Sequence, residues 1–367
     1  MPRIVEIISF LENFAPLSYQ ESYDNCGLLV GNKTEPCTGI LVCLDVIEDI
    51  IDEAISKNCN LIVAHHPVIF SGLKKLTGAN YVERIIIKAI QHNIAIYAIH
   101  TNLDNLEHGV SGMLAQKLGL QNVQVLAPKK GTLSKLVTYI PIADTEMVLK
   151  GIFETGAGSI GQYSECSFVI QGEGSFQPLA GAHPHIGEVG KKEKVLENRV
   201  EIMYPNYLES TVVAALYTHH PYEQPAFDLI PLLNQHNQVG SGCIGDLEKP
   251  MQPRDFLAYI SKTLELSCVR FTTAFTGEIK KVALCGGSGS FLLKNAITSQ
   301  ADVLITGDFK YHDFFDAEDR ILVCDIGHYE SEIHTKELLF TVLTKKFVNI
   351  AIVLTSIHTN PIGYYQL

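Results

Sequence analysis

The chain has 367 residues, and 28 basic against 40 acidic side chains give a formal charge of −12, with 46% hydrophobic and 19% charged residues. This excludes a disordered chain, which carries less apolar material and more charge, and it weighs against duplex binding, where phosphate neutralisation dominates affinity. The longest apolar runs, such as 60–64 and 94–99, are strand-sized and fall short of the roughly 18 residues of a membrane span.

At roughly 150 residues per domain, the length predicts two or three domains. The opening Met-Pro-Arg-Ile-Val-Glu-Ile-Ile has no signal-type apolar segment with a cleavage site. Nine cysteines without a Cys-x-x-Cys pair argue against a disulfide framework or a thiolate zinc knuckle. A cytoplasmic protein is expected. Fourteen histidines in an acidic chain point to bound metal.

In chain order, 39–46 reads as a buried strand, 48–57 as a helix, 61–64 as a strand, 81–92 as a helix and 95–99 as a strand. That spacing predicts parallel βαβ units. The middle differs. It reads as strand 135–140, helix 145–155, a hairpin of 165–171 with 175–178, strand 199–204, helix 208–218 and strand 226–231. The order β-α-β-β-α-β predicts a ferredoxin-like unit, and turn-rich polar sequence stands near 128 and 234. The last third returns to strand 281–285, helix 290–299, strands 303–306 and 321–325, and helix 331–344. Residues 54–65 overlay 296–307 without a gap. The expected fold class is α/β. Two similar βαβ-based halves, 1–127 and 235–367, form one domain interrupted by an inserted ferredoxin-like (βαββαβ) domain over 128–234.

Four segments carry chemistry, three of them directly after a strand, where open α/β sheets place ligands. Ala64-His65-His66-Pro67 offers two imidazoles at a strand end. His100-Thr-Asn-Leu-Asp104 adds a carboxylate and another imidazole. In Asp325-Ile-Gly327-His328-Tyr-Glu330-Ser-Glu332, Gly327 allows a sharp turn, and His328 and Glu332, four apart at a helix start, share one face. Thr306-Gly-Asp308-Phe-Lys310-Tyr-His312-Asp313 reads as substrate-facing. His65, His66, Asp104, His328 and Glu332 together suit two divalent ions that share bridging oxygens and keep open positions for water. The N/O donor set favours Zn, with Mn, Fe, Co or Ni as alternatives, over Ca or Mg.

Two glycine-rich stretches invite a phosphate reading. Gly240-Ser-Gly242-Cys-Ile-Gly245 spells a dinucleotide fingerprint without a preceding strand or a following helix, and is set aside. Cys285-Gly-Gly-Ser-Gly-Ser290 joins a strand to a helix and could cradle an anion or make a tight turn. Gly190-Lys-Lys-Glu-Lys194 reads as a solvated loop.

These residues resemble a known family. Tyr23-Asp-Asn-Cys-Gly-Leu-Leu-Val-Gly31, Ala64-His-His-Pro67, His100-Thr-Asn-Leu-Asp104, Thr306-Gly-Asp308 and Gly327-His-Tyr-x-x-Glu332 are similar, in order, to motifs of the Nif-three-like dinuclear-metal hexamer family, also named GTP cyclohydrolase 1 type 2 homologues. The middle insertion resembles the signalling protein PII and the copper-tolerance protein CutA, through His219-His-Pro-Tyr-Glu-Gln-Pro225. Tyr23 stands where the family often has tryptophan, and Tyr311-His312 where many members have two histidines.

The resemblance implies ligation by His65, His66, Asp104, His328 and Glu332, two metal ions per subunit, and a homohexamer whose metals face an internal cavity. The expected function is a metal-dependent hydrolase. Glu330, Asp308 or His312 would relay protons, and the substrate would be a small anion such as a nucleotide. The alternative is a metal-binding regulatory or partner-binding assembly without turnover. Membrane and nucleic-acid partners are not expected.

Overall fold

The computed structural model describes residues 1–365. The chain divides into two compact units, residues 1–128 together with 237 onward, and Lys129–His236. The first half of the larger unit runs α1 (Ile4–Phe14), β1 (Gly27–Val30), β2 (Gly39–Cys43), α2 (Glu48–Ser56), β3 (Leu61–Ala64), α3 (Tyr81–Gln91), β4 (Ala95–Ala98), α4 (Thr101–Asp104), α5 (Val110–Lys117) and β5 (Gln121–Lys130). The smaller unit follows with β6 (Leu133–Pro141), α6 (Thr145–Phe153), β7 (Phe168–Phe176), β8 (Glu193–Pro205), α7 (Glu209–His219) and β9 (Phe227–Leu232). The chain then returns through β10 (Gln235–Met251), α8 (Pro253–Thr263), β11 (Arg270–Phe271), β12 (Ile279–Ser288), α9 (Leu293–Thr298), β13 (Val303–Gly307), β14 (Leu322–Asp325), α10 (His328–Glu332), α11 (Thr335–Lys346) and β15 (Ala351–Leu354).

The larger unit holds two sheets, ordered β1-β4-β3-β2-β15 and β11-β14-β13-β12-β10-β5. In each, three parallel strands form the centre, and a short antiparallel strand, β1 or β11, closes one edge. Period-2 alternation sends Ile40, Val42, Leu61, Val63 and Tyr97 into one core layer and Leu41, Cys43, Ile62, Ala64 and Ile96 into the other. Helices cover both faces, so β3 is buried along its whole length and reads as an unbroken apolar run. Each such side chain contributes roughly 1.5–3 kcal/mol of burial. α3 is typical of the covering helices. The Asn80 side chain accepts the Glu83 amide at its start, and Ile85, Ile86 and Ala89 form its buried stripe.

The smaller unit is one antiparallel sheet, ordered β7-β8-β6-β9. Val148 and Ile152 of α6 and Val212 and Leu216 of α7 pack on Leu136, Ile140, Val200 and Ile202.

Three expectations change, and the stretch set aside as a phosphate loop is a strand. The hairpin of 165–171 with 175–178 is instead one strand, β7, paired with β8 from Phe168↔Glu201 to Phe176↔Glu193. Gly172 and Gly174 sit within it. Gly240–Gly245 lies inside β10, whose Cys243–Asp246 pair with 281–284 of β12. A side chain at 240 would collide with the Ala127 carbonyl, so glycine serves strand packing there and no phosphate loop exists. The helix 331–344 is two helices, α10 and α11, and 290–299 begins with a 3-10 turn before α9. All nine cysteines are free, and Cys43 and Cys324 are fully buried. Among the described residues no helix is long and apolar enough to cross a membrane.

Candidate metal centre

The carboxyl ends of the parallel strands in both sheets supply one cluster. Asp45 follows β2, His65 and His66 follow β3, and His100 and Asp104 follow β4. Asp308 follows β13, and His328 and Glu332 follow β14 on α10. A strand that ends inside a covered sheet turns outward there, where backbone and side-chain polar groups become available. Gly327, at φ +93°, makes the turn from β14 into α10, as the sequence predicts.

His65 is fully buried. Its Nδ1–H donates to the Ile99 carbonyl at 2.8 Å, because a carbonyl can only accept. Nε2 is therefore a bare lone pair. It stands 3.5 Å from Asp104 Oδ1 and 3.8 Å from Glu332 Oε1. Neither His65 Nε2 nor Asp104 Oδ1 has a hydrogen-bond partner. His66 places Nδ1 2.7 Å from Asp45 Oδ1 and Nε2 2.9 Å from Glu332 Oε2. His328 places Nδ1 2.7 Å from Asp308 Oδ2 and Nε2 3.1 Å from Glu332 Oε2, and the two Nε2 atoms lie 3.4 Å apart. His100 holds Asp24 Oδ1 at 2.8 Å, with its ring 5.3 Å from those of His65 and His66. Three overlapping sets of ligand atoms result: His65, His66 and His100; His66, His328 and Glu332; and His65, Asp104 and Glu332.

The electrostatics are those of a site short of positive charge. Burial pushes the Asp104 carboxyl well above its ordinary value, and the Glu332 charge adds to the effect. Burial opposes ionisation of Glu332 too, but the neighbouring His328, His65 and His66 imidazoles outweigh it and hold that carboxyl well below its ordinary value. Burial disfavours charge on His66, yet Asp45 and Glu332 together push its pKa up to about 10. His328 likewise reaches about 9 through Glu332 and Asp308, against burial. Converging imidazole and carboxylate atoms, two of them buried and unpartnered, are the donor set of a divalent transition metal. The residues fit such an ion.

All five expected ligands meet here. Of the expected proton relays, Asp308 reaches the cluster through His328, whereas Glu330 accepts the Asn360 amide at 3.0 Å. His312 is exposed, with its ring stacked on Phe315. The sequence reading missed Asp24, Asp45 and His100 as members. The available signal for Asp45 and His100 was position, since each stands two residues past the end of a central parallel strand. It also missed the segment 355–362, where the Thr359 hydroxyl donates to Asp45 at 2.5 Å. The 285–290 stretch is not an anion cradle. The Gly287 amide donates to Ser331 Oγ at 2.9 Å and the Gly289 amide to Thr306 Oγ1 at 2.8 Å. Gly287 also sits at φ +63°, where a Cβ would strike Glu332 Oε1. The loop is a wall of the cluster. A cavity of about 480 Å3 opens beside it, bounded by Phe70, His66, His328, Tyr329 and Ile362.

A family model described as Duf34/NIF3 (NGG1p interacting factor 3) matches residues 2–361. The chain is 39% identical over 365 residues to a Bacillus subtilis (strain 168) protein named GTP cyclohydrolase 1 type 2 homolog, covering 98% of each. A Staphylococcus aureus (strain MSSA476) protein of the same name is 37% identical over 367 residues, covering 99% of this chain and 100% of its own. The crystal structure of a Bacillus cereus protein related to NIF3 shares 36% identity and a TM-score of 0.87, over 99% of both chains. With the family model matching nearly the whole chain and its mixed α/β architecture matched over 99% of a solved relative, the chain belongs to the DUF34/NIF3 family.

Proposed function

We propose that the protein is a metal-dependent hydrolase that binds two divalent ions per subunit, zinc foremost, and acts on a small anionic substrate such as a nucleotide. The observation that carries this reading is the buried, unpartnered pair His65 Nε2 and Asp104 Oδ1, aimed at Glu332 Oε1. Acceptor atoms facing one another without a donor are unfavourable unless a cation lies among them. His65, His66, Asp104, His328 and Glu332 would hold the ions, and His100 is a further candidate ligand. Divalent ions in such a site supply Lewis acidity and a water acidic near neutral pH.

The chain's own residues do the rest. Asp45 and Asp308 fix the His66 and His328 rings by their Nδ1 atoms. Phe70 and Tyr329 flank the adjacent cavity and exclude water from a bound ring. No lysine or arginine lines that cavity, so an anionic substrate would rely on the ions for its countercharge. Proton traffic falls to Asp308 and Glu330, and His312 stands apart on its exposed turn. The relatives' printed name supports GTP as the first substrate to try.

The same reading takes residues 128–234 as an inserted ferredoxin-like domain of the PII/CutA kind, the assembly as a homohexamer, and the location as cytoplasmic. The βαββαβ order and the sheet order β7-β8-β6-β9 support the insertion. A regulatory assembly without turnover is the second reading, favoured by a separate cavity within Lys129–His236.

The test is elemental analysis of metal-reconstituted protein, followed by formate release from GTP and a wider hydrolase panel, with a positive control. The double variant His65→Ala, Glu332→Ala serves as blank. Unchanged metal content in the blank sinks the metal site. Full metal content with no product from any substrate sinks the enzyme and leaves the regulatory reading.

A further inference from the structure

The unit Lys129–His236 contains a cavity of about 620 Å3 that shares no residue with the histidine cluster. Glu197 of β8 lies in its wall, 9% exposed. Its Oε1 accepts the Tyr222 hydroxyl at 2.8 Å. Its Oε2 fills the space that a Cβ at residue 174 would take, so Gly174 makes room for the carboxylate. The rings of Phe176 and His185 stand 6.0 and 6.2 Å from that of Tyr222, giving an aromatic surround. Glu223, the other acid of the lining, is engaged by the His183 amide at 3.1 Å.

These observations select a ligand class. No lysine or arginine lines the cavity, and two carboxylates do, so phosphates and carboxylates are repelled. None of the converging metal-ligand sets among the described residues lies here, and the lining favours an organic ligand. A carboxylate in an apolar, aromatic cavity is unfavourable with one neutral hydrogen bond and gains most from a charge-assisted, two-point donor. One hydroxyl uses one of its roughly four lone-pair sites and leaves Oε2 available. Aromatic walls favour a flat, electron-poor or cationic ring, and the volume suits a small organic molecule. We propose that this cavity binds a planar, phosphate-free ring with adjacent N–H donors, an amidine or 2-amino-heteroaromatic edge, held by Glu197 and stacked against Tyr222.

The proposal is independent of the metal reading. Its test is isothermal titration calorimetry on the full chain with benzamidine and 2-aminopyrimidine. At least one should bind saturably. Glu197→Gln should weaken it at least tenfold, and Ala182→Trp, which fills the cavity from its loop side, should do the same. His65→Ala should leave it unchanged. Tyr222→Phe, which keeps the carboxylate and the ring, should retain binding within about threefold, separating ligand contact from collapse of the site. Binding that survives both Glu197→Gln and Ala182→Trp overturns the proposal. So does failure of both probes to bind, or a benzoate affinity that Ala182→Trp abolishes.

Discussion

Every imidazole of the cluster is held from behind. The Nδ1 atoms of His65, His66, His100 and His328 meet the Ile99 carbonyl, Asp45, Asp24 and Asp308 respectively. Such partners set the tautomer and aim the other nitrogen, and their loss typically lowers metal affinity about 10–100-fold. Asp45→Asn and Asp308→Asn should each produce a loss of that size in competition with a chromogenic chelator. Affinity unchanged in both would mean that these carboxylates do not position ligands. His65 and His66 are legible in the sequence because adjacent histidines after an apolar run have few structural uses. Asp45 is not, since a single carboxylate after a strand usually caps or turns. His312 shows the converse: its neighbours made it look chemical, but the 3-10 turn Tyr311–Ala317 carries it to the surface.

Elements place these residues, and their packing can be tested separately. Gly287, near the end of β12, is pressed against Glu332, so Gly287→Ala should lower bound metal while Gly72→Ala, with nothing within 4 Å, should not. Equal metal content by elemental analysis would contradict that contact. In the second sheet, Phe256 of α8 is fully buried among Leu247, Ile260 and Leu284, and Phe256→Ala should cost about 3–5 kcal/mol in urea unfolding.

The segment before α3 has its own anchor. Buried Glu83 accepts the Thr77 amide at 2.7 Å, the Thr77 hydroxyl at 2.8 Å and the Ala79 amide at 3.1 Å, which hold its pKa down to about 2. A carboxyl depressed on folding stabilises above its ordinary value of 4.5 and loses that contribution as pH falls toward 2. The difference in unfolding midpoint between wild type and Glu83→Gln should therefore shrink from pH 6 to pH 2.5. A constant difference would show that the ionised form is not the one bonded. The central strands are legible as elements because burial on both faces leaves an unbroken apolar run. β7 is not, because Gly172 and Gly174 have turn composition, and only the neighbouring Glu197 side chain explains a glycine within that strand.

At the scale of the molecule, the contact division at Lys129 and His236 motivates an excision experiment. Replacing 129–236 with a short flexible linker should leave a folded remainder that still binds metal, and failure to fold would remove the insertion account. Light scattering of the full chain should give about six times 40.5 kDa if the proposed hexamer is right, and a monomer or dimer would refute it. The formal −12 describes the chain alone. On the proposed reading, two divalent ions would change it to −8 and place that positive charge at the cluster, so an acidic protein can still take an anion there.

By itself the sequence determined the α/β character, the order of most elements and five residues that converge, because apolar periodicity and motif spacing are local properties of a chain. Tertiary structure alone decided which side chains share a centre. His66 and Glu332 are 266 positions apart and lie 2.9 Å from each other only because two sheets present their carboxyl ends to one cluster. It also decided that the glycines of 285–290 serve close packing rather than phosphate binding, since a glycine's reason is the atom beside it and that atom belongs to another part of the chain.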